Sequence, residues 1–412
     1  MKALFDILLK DKALTEMSRC FRRSSGKAFI YGMSGSLKHA AFAACYELAP
    51  APSAIIVHDR QQLKEWESDL AELLPEAELA EMPVLDMTEV AAAAKSRELV
   101  SQRMDILGRL SRGEPVIILS TAEAAVQKGI SRQDFEQLSI KLRAGQVLER
   151  DELLAHFVQI GYHRMEETAQ VEMPGEFSVR GGIVDVYPIN EITPYRIEFF
   201  DDEIESIRSF SLETQRSIKT VDRIEILPVM QENPAGLTDP FLAFMPETGK
   251  IIIDEPLRVR EHIIKIGKES PELKNRILSW NGLSDGIKNG NVLYLALMLQ
   301  KIHGGEPDSL EGVTSKGIAS FQGQMDMLAS DTEEWLAQKN RVLVLASDKS
   351  KQESLREFFA GHRLPATMEL KAGGLKAGAV TVLKGSLLNG FELPGMKLTV
   401  LTEKDIFGRQ KR

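Results

Sequence analysis

The segment FIYGMSGSLKHAA, residues 29–41, has the order of residue types that a phosphate-binding loop needs. An apolar run leads into a glycine turn, which is followed by a lysine and by a stretch typical of a helix. A working loop reads G-x-x-x-x-G-K-[ST], because glycines let backbone N–H groups approach the phosphates, the lysine neutralises charge and the hydroxyl binds magnesium. Gly32 occupies the first glycine position and Lys38 the lysine position.

Two other positions of that pattern are changed. Leu37 stands where the second glycine is needed, and His39 stands where the hydroxyl is needed. A bulky side chain does not adopt glycine conformations freely, and loss of the hydroxyl removes a metal ligand. We therefore expect Gly32 and Gly35 to form a tight turn between a strand and a helix. The loop is predicted to be vestigial and to hold no cofactor.

The segment IIIDE, residues 251–255, is a second trace of nucleotide chemistry. It resembles the apolar strand that ends in Asp-Glu and positions magnesium and the attacking water in motor ATPases, with Asp254 and Glu255 as the acids. Alone this pattern is weakly specific, and the sequence has no Q-x-x-G-R-x-x-R stretch to supply an arginine finger. We predict no catalytic residue. A diverged nucleotide-dependent DNA enzyme that uses Lys38, Asp254 and Glu255 stays open as an alternative.

The composition argues against several classes of protein. The 412 residues are 43% hydrophobic and carry a net charge of -9, which favours a soluble chain of several domains over a dedicated nucleic-acid binder. Two scattered cysteines, Cys20 and Cys45, build neither a disulfide scaffold nor a zinc site. The seven histidines show no ligand spacing, so no metal site is predicted. No apolar run approaches the ~18 residues of a membrane span, and we predict a cytoplasmic protein.

Patterns of strands and helices divide the chain into four parts. Residues 1–130 alternate apolar strands with helices and are predicted to form a degenerate P-loop (RecA-like) domain with a parallel sheet. Residues 131–216 hold one helix and closely spaced strands, which predicts an inserted antiparallel α+β domain. Residues 217–315 return to the first pattern, with a helix expected near Val292–Ile302, and residues 316–412 are predicted to form a small α/β third domain.

The densest signal for function lies in residues 174–217. Alternation along a strand places every second side chain on one face. On the strand YRIEFF, Arg196, Glu198 and Phe200 therefore share one face, and Arg180 at the end of an earlier strand can join them. Exposed arginine and aromatic side chains together are typical of protein-binding hot spots.

The charge of this region favours a protein partner over DNA. Residues 171–216 contain ten acids and four arginines, a net charge of 4 - 10 = -6, which would repel a phosphate backbone. The alternative is that Arg196 and Glu198 only form an ion pair on a solvated face, worth ~0.2–1 kcal/mol. The residues alone leave both interpretations open, although an unpaired Phe200 beside Asp201 favours an interface.

Residues 174–217 closely resemble the domain shared by the excinuclease protein UvrB and the bacterial transcription-repair coupling factors. The resemblance is closest to the coupling-factor family and extends through nearly the whole chain. It rests on the segments GEFSVRGGIVDVYP, YRIEFFDDEIESIRSF, TQRS, IIIDEPLRV, SFQGQMDML and GFELPGMKLTVLTEKDIFG.

The resemblance implies a non-catalytic, UvrB-like N-terminal module that has lost its ATPase. In that family the inserted domain recruits the excinuclease protein UvrA to a stalled RNA polymerase for transcription-coupled nucleotide excision repair. Its binding residues fall on Arg180, Arg196 and Phe200 of this sequence. The other implied partners are the parent protein's C-terminal motor domains, while RNA polymerase and DNA are expected to bind only through parts outside this chain.

One departure from UvrB bears on DNA. UvrB has an aromatic-rich hairpin that clamps damaged DNA, whereas the corresponding stretch here, AEMPVLDMTEVAAAAKS, has no aromatic residue. Base stacking needs aromatic faces, so verification of damage is not expected. Two alternatives remain: a nucleotide-dependent repair enzyme of the UvrB type, and an autoinhibitory module for the parent's DNA translocase.

Overall fold

The computed structural model describes residues 1–85, 93–166, 170–229, 238–370 and 374–408. These residues form a mixed α/β structure with one parallel sheet and several sheets that contain antiparallel strands. Within these ranges, none of the helices combines the length and the apolar character that a bilayer span requires. Seven residues of the aromatic-free stretch AEMPVLDMTEVAAAAKS, residues 86–92, lie outside these ranges.

Seven parallel strands form the central sheet, as predicted for the first part of the chain. Its inner strands are continuous apolar runs because helices cover both faces, and the strand Ser53–Val57 is buried at every position. Every neighbouring pair in the sheet is parallel. In order across the sheet, the strands are Ser309–Gly312, Gly26–Tyr31, Asn291–Ala296, Lys250–Asp254, Ser53–Val57, Val116–Thr121 and Glu78–Glu81.

Two helices of this part precede the first strand of the central sheet, and most of the others follow one of its strands. Several begin at side-chain caps, for example Asp59, whose carboxylate accepts from the N–H of Gln62. The α-helices are Lys2–Leu8, Lys12–Arg22, Leu37–Leu48, Arg60–Leu73, Ala93–Ser111, Ala122–Val126, Arg132–Leu138, Pro256–Glu269 and Trp280–Gly286, with 3-10 turns at Phe241–Phe244 and Pro271–Leu273.

The prediction of a helix near Val292–Ile302 is wrong. Asn291–Ala296 is a strand between Gly26–Tyr31 and Lys250–Asp254, and all six of its residues are buried. A continuous apolar run fits a buried parallel strand as well as a buried helix, so its periodicity cannot distinguish the two.

The residues predicted to form the inserted domain lie in a six-stranded sheet with the helix Arg150–Gln159 on one face, and this sheet extends past residue 216 to include the strand Ser217–Val221. Phe157 of that helix packs among Phe177, Ile197 and Ile207 of the sheet. All neighbouring strands pair antiparallel except the first two along the chain. In order across the sheet, the strands are Ser217–Val221, Glu203–Phe210, Tyr195–Phe200, Ile183–Tyr187, Glu176–Arg180 and His163–Arg164.

Two short antiparallel pairs join segments that are far apart in the sequence. Ile140–Arg143 pairs with Arg223–Ile226, and Lys128–Gly129 pairs with Asp239–Pro240. The chain therefore enters and leaves the inserted region side by side.

The residues predicted to form the third domain, 316–412, contain a second six-stranded sheet flanked by helices. Four of its strands are parallel and two at one edge are antiparallel. Its strands, in order across the sheet, are Lys316–Gly317, Phe391–Leu393, Leu398–Thr402, Arg341–Ala346, Ala379–Lys384 and Ala366–Thr367. Its helices are Met325–Ala337, Lys349–Gly361 and Glu403–Phe407, with a 3-10 turn at Pro394–Met396.

One hydrophobic core continues from the central domain into the third domain. Leu4, Met17 and Phe42 from the N-terminal helices belong to the same buried cluster as Leu343 and Phe391 of the third sheet. This continuity brings the third domain against the segment that resembles a phosphate-binding loop.

Candidate protein-binding surface

The outer face of the inserted sheet carries the three residues predicted to bind a partner. Tyr195 and Ile197 point into the domain core and are buried, as the alternation predicts. Directly paired residues on neighbouring strands share a face, and the observed pairing places Arg180, Arg196 and Phe200 on the opposite, outer face. Phe200 is 70% exposed.

The carboxylate of Asp185 holds both arginines. Arg196 donates from Nε to Oδ1 at 2.7 Å and from Nη2 to Oδ2 at 2.9 Å, and Arg180 donates from Nη2 to Oδ2 at 2.7 Å. Asp185 is buried, and its hydrogen bond raises the pKa of the Arg196 guanidinium. Because charge-assisted bonds are short and directional, the shared carboxylate fixes the positions of both side chains.

Arg196 lies mostly below the surface. Only 17% of its side chain is exposed, and its guanidinium carbon lies 4.6 Å from the ring centre of the buried Phe210. Its Nη2 also lies 3.5 Å from Oε1 of Gln215. Arg196 therefore orients the face, whereas Arg180, whose side chain is 42% exposed, and Phe200 are accessible from outside.

The alternative ion pair between Arg196 and Glu198 is absent from this described face. Glu198 instead binds Arg208 on the next strand, and it accepts from the hydroxyl of Ser206 at 2.9 Å. The guanidinium groups of Arg180, Arg196 and Arg208 are thus each paired with a carboxylate of the same sheet.

Phe200 lies at the tip of a two-residue hairpin turn. It pairs with Glu203 across the turn, and Asp201 has a left-handed φ of 51°. Asp201, Asp202 and Glu203 are exposed, and no described residue pairs with their carboxylates. The accessible tip is therefore an apolar ring bordered by free negative charge.

Asp185 and Phe210 organise this face, and neither was predicted to do so from the sequence. Asp185 is the one acid in the apolar strand IVDVY. A buried carboxylate requires a partner, so this isolated acid was a signal for a buried ion pair. Phe210 gave no such signal, because an apolar residue in a strand is as compatible with the hydrophobic core as with a contact to an arginine.

The lysine of the segment that resembles a phosphate-binding loop forms an ion pair with an acid from another strand of the sheet. The Lys38 ammonium donates to Oδ2 of the buried Asp254 at 2.6 Å, and Nε1 of Trp66 donates to the same oxygen at 2.8 Å. The structure therefore brings together the two predicted vestigial residues Lys38 and Asp254, and it gives the lysine a carboxylate of its own.

Ser315, just before the third domain, and Asn389, within it, occupy two backbone donors of this loop. The N–H of Ser34 donates to Oγ of Ser315 at 2.8 Å, and the N–H of Ser36 donates to the carbonyl of Asn389 at 3.2 Å. In return, the N–H of Asn389 donates to Oγ of Ser36 at 3.1 Å. In a working loop such N–H groups point at phosphate oxygens.

Glycine is required in this loop for close packing. Gly32 and Gly35 have φ values of +89° and +58°, which L side chains rarely adopt. A Cβ at Gly32 would collide with the carbonyl of Val313, and one at Gly35 with the carbonyl of Gly390. The expected tight turn is present, and it fits against the backbone of the segments after the central sheet and in the third domain.

His39 and Glu255 each have a structural partner. Nδ1 of His39 lies 2.5 Å from Oδ2 of Asp69, whose Oδ1 accepts from the N–H of Leu388 in the third domain at 2.8 Å. Glu255 accepts from the N–H of Leu297 at 2.8 Å through Oε1. Among the described residues, no cluster of three or more His, Cys, Asp or Glu side chains is placed to hold a metal ion.

A protein family described as the UvrB interaction domain matches residues 140–231. This range contains the sheet that carries Arg180, Arg196 and Phe200, together with the strand pair at its base.

Curated relatives match along nearly the whole chain. The transcription-repair-coupling factor of Bacillus subtilis (strain 168) is 28% identical over 92% of this chain and 38% of its own length. That of Staphylococcus aureus (strain bovine RF122 / ET3-1) is 26% identical over 100% of this chain and 41% of its own. The chain thus spans about two fifths of the length of these relatives.

A solved structure of a hypothetical ATP-dependent RNA helicase from Sulfolobus tokodaii aligns over 92% of this chain and 77% of its own at 8% identity. Its TM-score of 0.28 is too low to support an argument about fold. The resemblance predicted from the sequence rests instead on the family match and the curated relatives, which confirm it. Along nearly its whole length the chain is similar to the transcription-repair-coupling factors of these two bacteria, and residues 140–231 match the family described as the UvrB interaction domain.

Proposed function

We propose that this chain is a non-catalytic module that binds the excinuclease protein UvrA in transcription-coupled nucleotide excision repair. The observation that carries the proposal is the 70% exposed Phe200 at the tip of a rigid hairpin within the matched UvrB interaction domain. Large aromatic side chains held on rigid elements are typical anchors of protein interfaces.

The three proposed binding residues have different roles. Phe200 is the anchor that enters a pocket of the partner. Arg180 contacts the partner at the rim, since its side chain is 42% exposed while bound to Asp185. Arg196 is a positioning residue, because most of its side chain is enclosed and it holds Asp185 in place.

The proposal is tested by titrating purified UvrA with this chain and with the Phe200→Ala variant. We expect the substitution to weaken binding by at least about thirtyfold, the effect of losing a hot spot worth about 2 kcal/mol. The matched control is Ile192→Ala, which removes a 92% exposed apolar side chain from a loop of the same domain outside the Phe200 hairpin.

The outcomes separate the site from the function. Loss of binding in Phe200→Ala with normal binding of Ile192→Ala supports the site. Equal binding of all three proteins removes the proposed site, and failure of the unsubstituted chain to bind removes the proposed function.

We further propose that the loop around Lys38 is vestigial and that the chain binds no nucleotide. Two features support this. The lysine is paired with Asp254, and the amides of Ser34 and Ser36 are satisfied by Ser315 and Asn389. A triphosphate would have to displace these segments before the loop could bind it.

Titration of the chain with Mg-ATP should give no saturable heat up to ~1 mM ligand, which corresponds to about 4 kcal/mol of binding free energy. Saturable binding that is lost in Lys38→Ala would contradict the proposal and favour the alternative of a nucleotide-dependent enzyme.

The remaining activities of the relatives are proposed for other parts of the longer protein. We place DNA translocation and RNA polymerase binding outside this chain, and we propose the parent's motor domains as a second partner of the module. A cytoplasmic location is proposed with them, because the repair partner and the polymerase act on DNA there.

A further inference from the structure

A second apolar side chain stands beside the Phe200 hairpin on the same face. Val147 belongs to the loop that precedes the helix Arg150–Gln159, and its side chain is 76% exposed. It forms an antiparallel bridge with Glu203, the residue that pairs with Phe200. Directly paired residues share a face, so Phe200, Glu203 and Val147 form one row.

Backbone hydrogen bonds hold this loop against the hairpin like an added strand. The N–H of Leu148 donates to the carbonyl of Asp202 at 2.7 Å, and that of Ile204 donates to the carbonyl of Gln146 at 2.9 Å. The N–H of Gly145 donates to the carbonyl of Ile204 at 2.7 Å. Val147 is therefore fixed in position although its side chain is exposed.

The spacing of the row follows from sheet geometry. Phe200 and Val147 are separated by one intervening strand, so their Cα atoms lie about 10 Å apart, twice the distance between neighbouring strands. The carboxylate of Glu203 lies between them, and no described residue pairs with it. The row therefore presents an apolar side chain, an acidic one and a second apolar one, in the order Phe200, Glu203 and Val147.

Charge around the row is negative on balance. Asp201 and Asp202 border Phe200 with carboxylates that no described residue neutralises. Two arginines of this domain, Arg180 and Arg150, are already paired with Asp185 and Asp151. A partner that covers the row must therefore bring positive charge of its own, because a carboxylate buried without a partner is costly.

We propose that Val147 is a second anchor of the same interface and that Glu203 recognises positive charge on the partner. This proposal rests on the proposed function. The partner surface on UvrA then carries two apolar pockets about 10 Å apart with a lysine or arginine between them. Continuity with the Phe200 site and charge complementarity both favour this occupant over an unrelated partner.

The test compares the affinity of UvrA for this chain and four variants. Val147→Ala should weaken binding about tenfold, because two methyl-sized groups leave a buried contact. Val158→Ala is the matched control, since Val158 is a 58% exposed valine on the helix that covers the other face of the sheet, and it should change affinity less than twofold. Phe200→Ala serves as the reference for the site itself.

Glu203→Gln tests the ionic part of the row. It should weaken binding several-fold at low salt and reduce the dependence of affinity on salt, because one ion pair with the partner is lost. Unchanged affinity and salt dependence would overturn the role of Glu203.

The outcomes distinguish this inference from the proposed function. If Phe200→Ala loses binding while Val147→Ala behaves like Val158→Ala, the second anchor is refuted and the proposed function stands. If Phe200→Ala also binds normally, both the site and its extension are refuted.

Discussion

Replacement of Asp185 by asparagine is expected to lower the free energy of unfolding of the inserted domain by about 3–5 kcal/mol, the cost of leaving a buried charge without its partner. Arg196, which is 17% exposed, would lose the only carboxylate it contacts among the described residues, and the new amide would turn one donor toward a guanidinium. Arg180 is more exposed, so its share of the effect is small.

The same substitution should weaken binding of UvrA at least about tenfold, because both arginines lose their fixed positions. Urea titration followed by far-UV circular dichroism measures the stability of the chain. Tryptophan fluorescence would not serve, since the three tryptophans lie outside residues 131–216.

Asp201→Asn is the control for Asp185→Asn. It removes an exposed carboxylate from a hairpin turn of the same sheet and should change stability by no more than about 0.5 kcal/mol. If Asp185→Asn proves as mild as Asp201→Asn, the cluster around Asp185 does not organise the face.

Replacement of Asp254 by alanine is expected to destabilise the central domain by about 3–5 kcal/mol, since it also breaks a buried pair. Asp254 is fully buried and accepts from Lys38 and Trp66, both of which would lose their partner. Urea titration followed by tryptophan fluorescence reports this loss directly, because Trp66 is one of the donors.

A double-mutant cycle with Lys38→Met separates the ion pair from other effects. Each single variant leaves one uncompensated charge, whereas the double variant removes both, so its destabilisation should be clearly less than the sum of the two. Additive effects would show that Lys38 and Asp254 stabilise the domain independently.

The accessible face of the inserted sheet was predictable because strand alternation is a local rule. Tyr195 and Ile197 are buried and Phe200 is exposed, as the period of two requires. The partner of Arg196 was not predictable in the same way. Alternation places Glu198 beside it on the same strand, but strand register places Asp185 opposite it, and register depends on tertiary pairing.

The parallel sheet was predictable from alternating strands and helices, but its inner strand Asn291–Ala296 was predicted as a helix. Asn291–Ala296 is apolar throughout because helices and strands enclose it, and that pattern does not distinguish a strand from a helix. The contact of Ser36 with Asn389 spans 353 positions of sequence. No local pattern carries information about such a contact. Only the folded chain therefore shows that other segments of the protein bind the backbone donors of the loop that resembles a phosphate-binding loop.

Amide hydrogen exchange of this chain, with and without UvrA, tests most directly whether the outer face of the inserted sheet is the binding surface. Slower exchange in the partner's presence is expected at the hairpin 200–203 and in the loop 145–148, with Asn291–Ala296 unchanged as an internal reference. Protection confined to the third domain or to the exposed apolar residues Leu297, Met298 and Leu299, with none at the hairpin, would contradict the account.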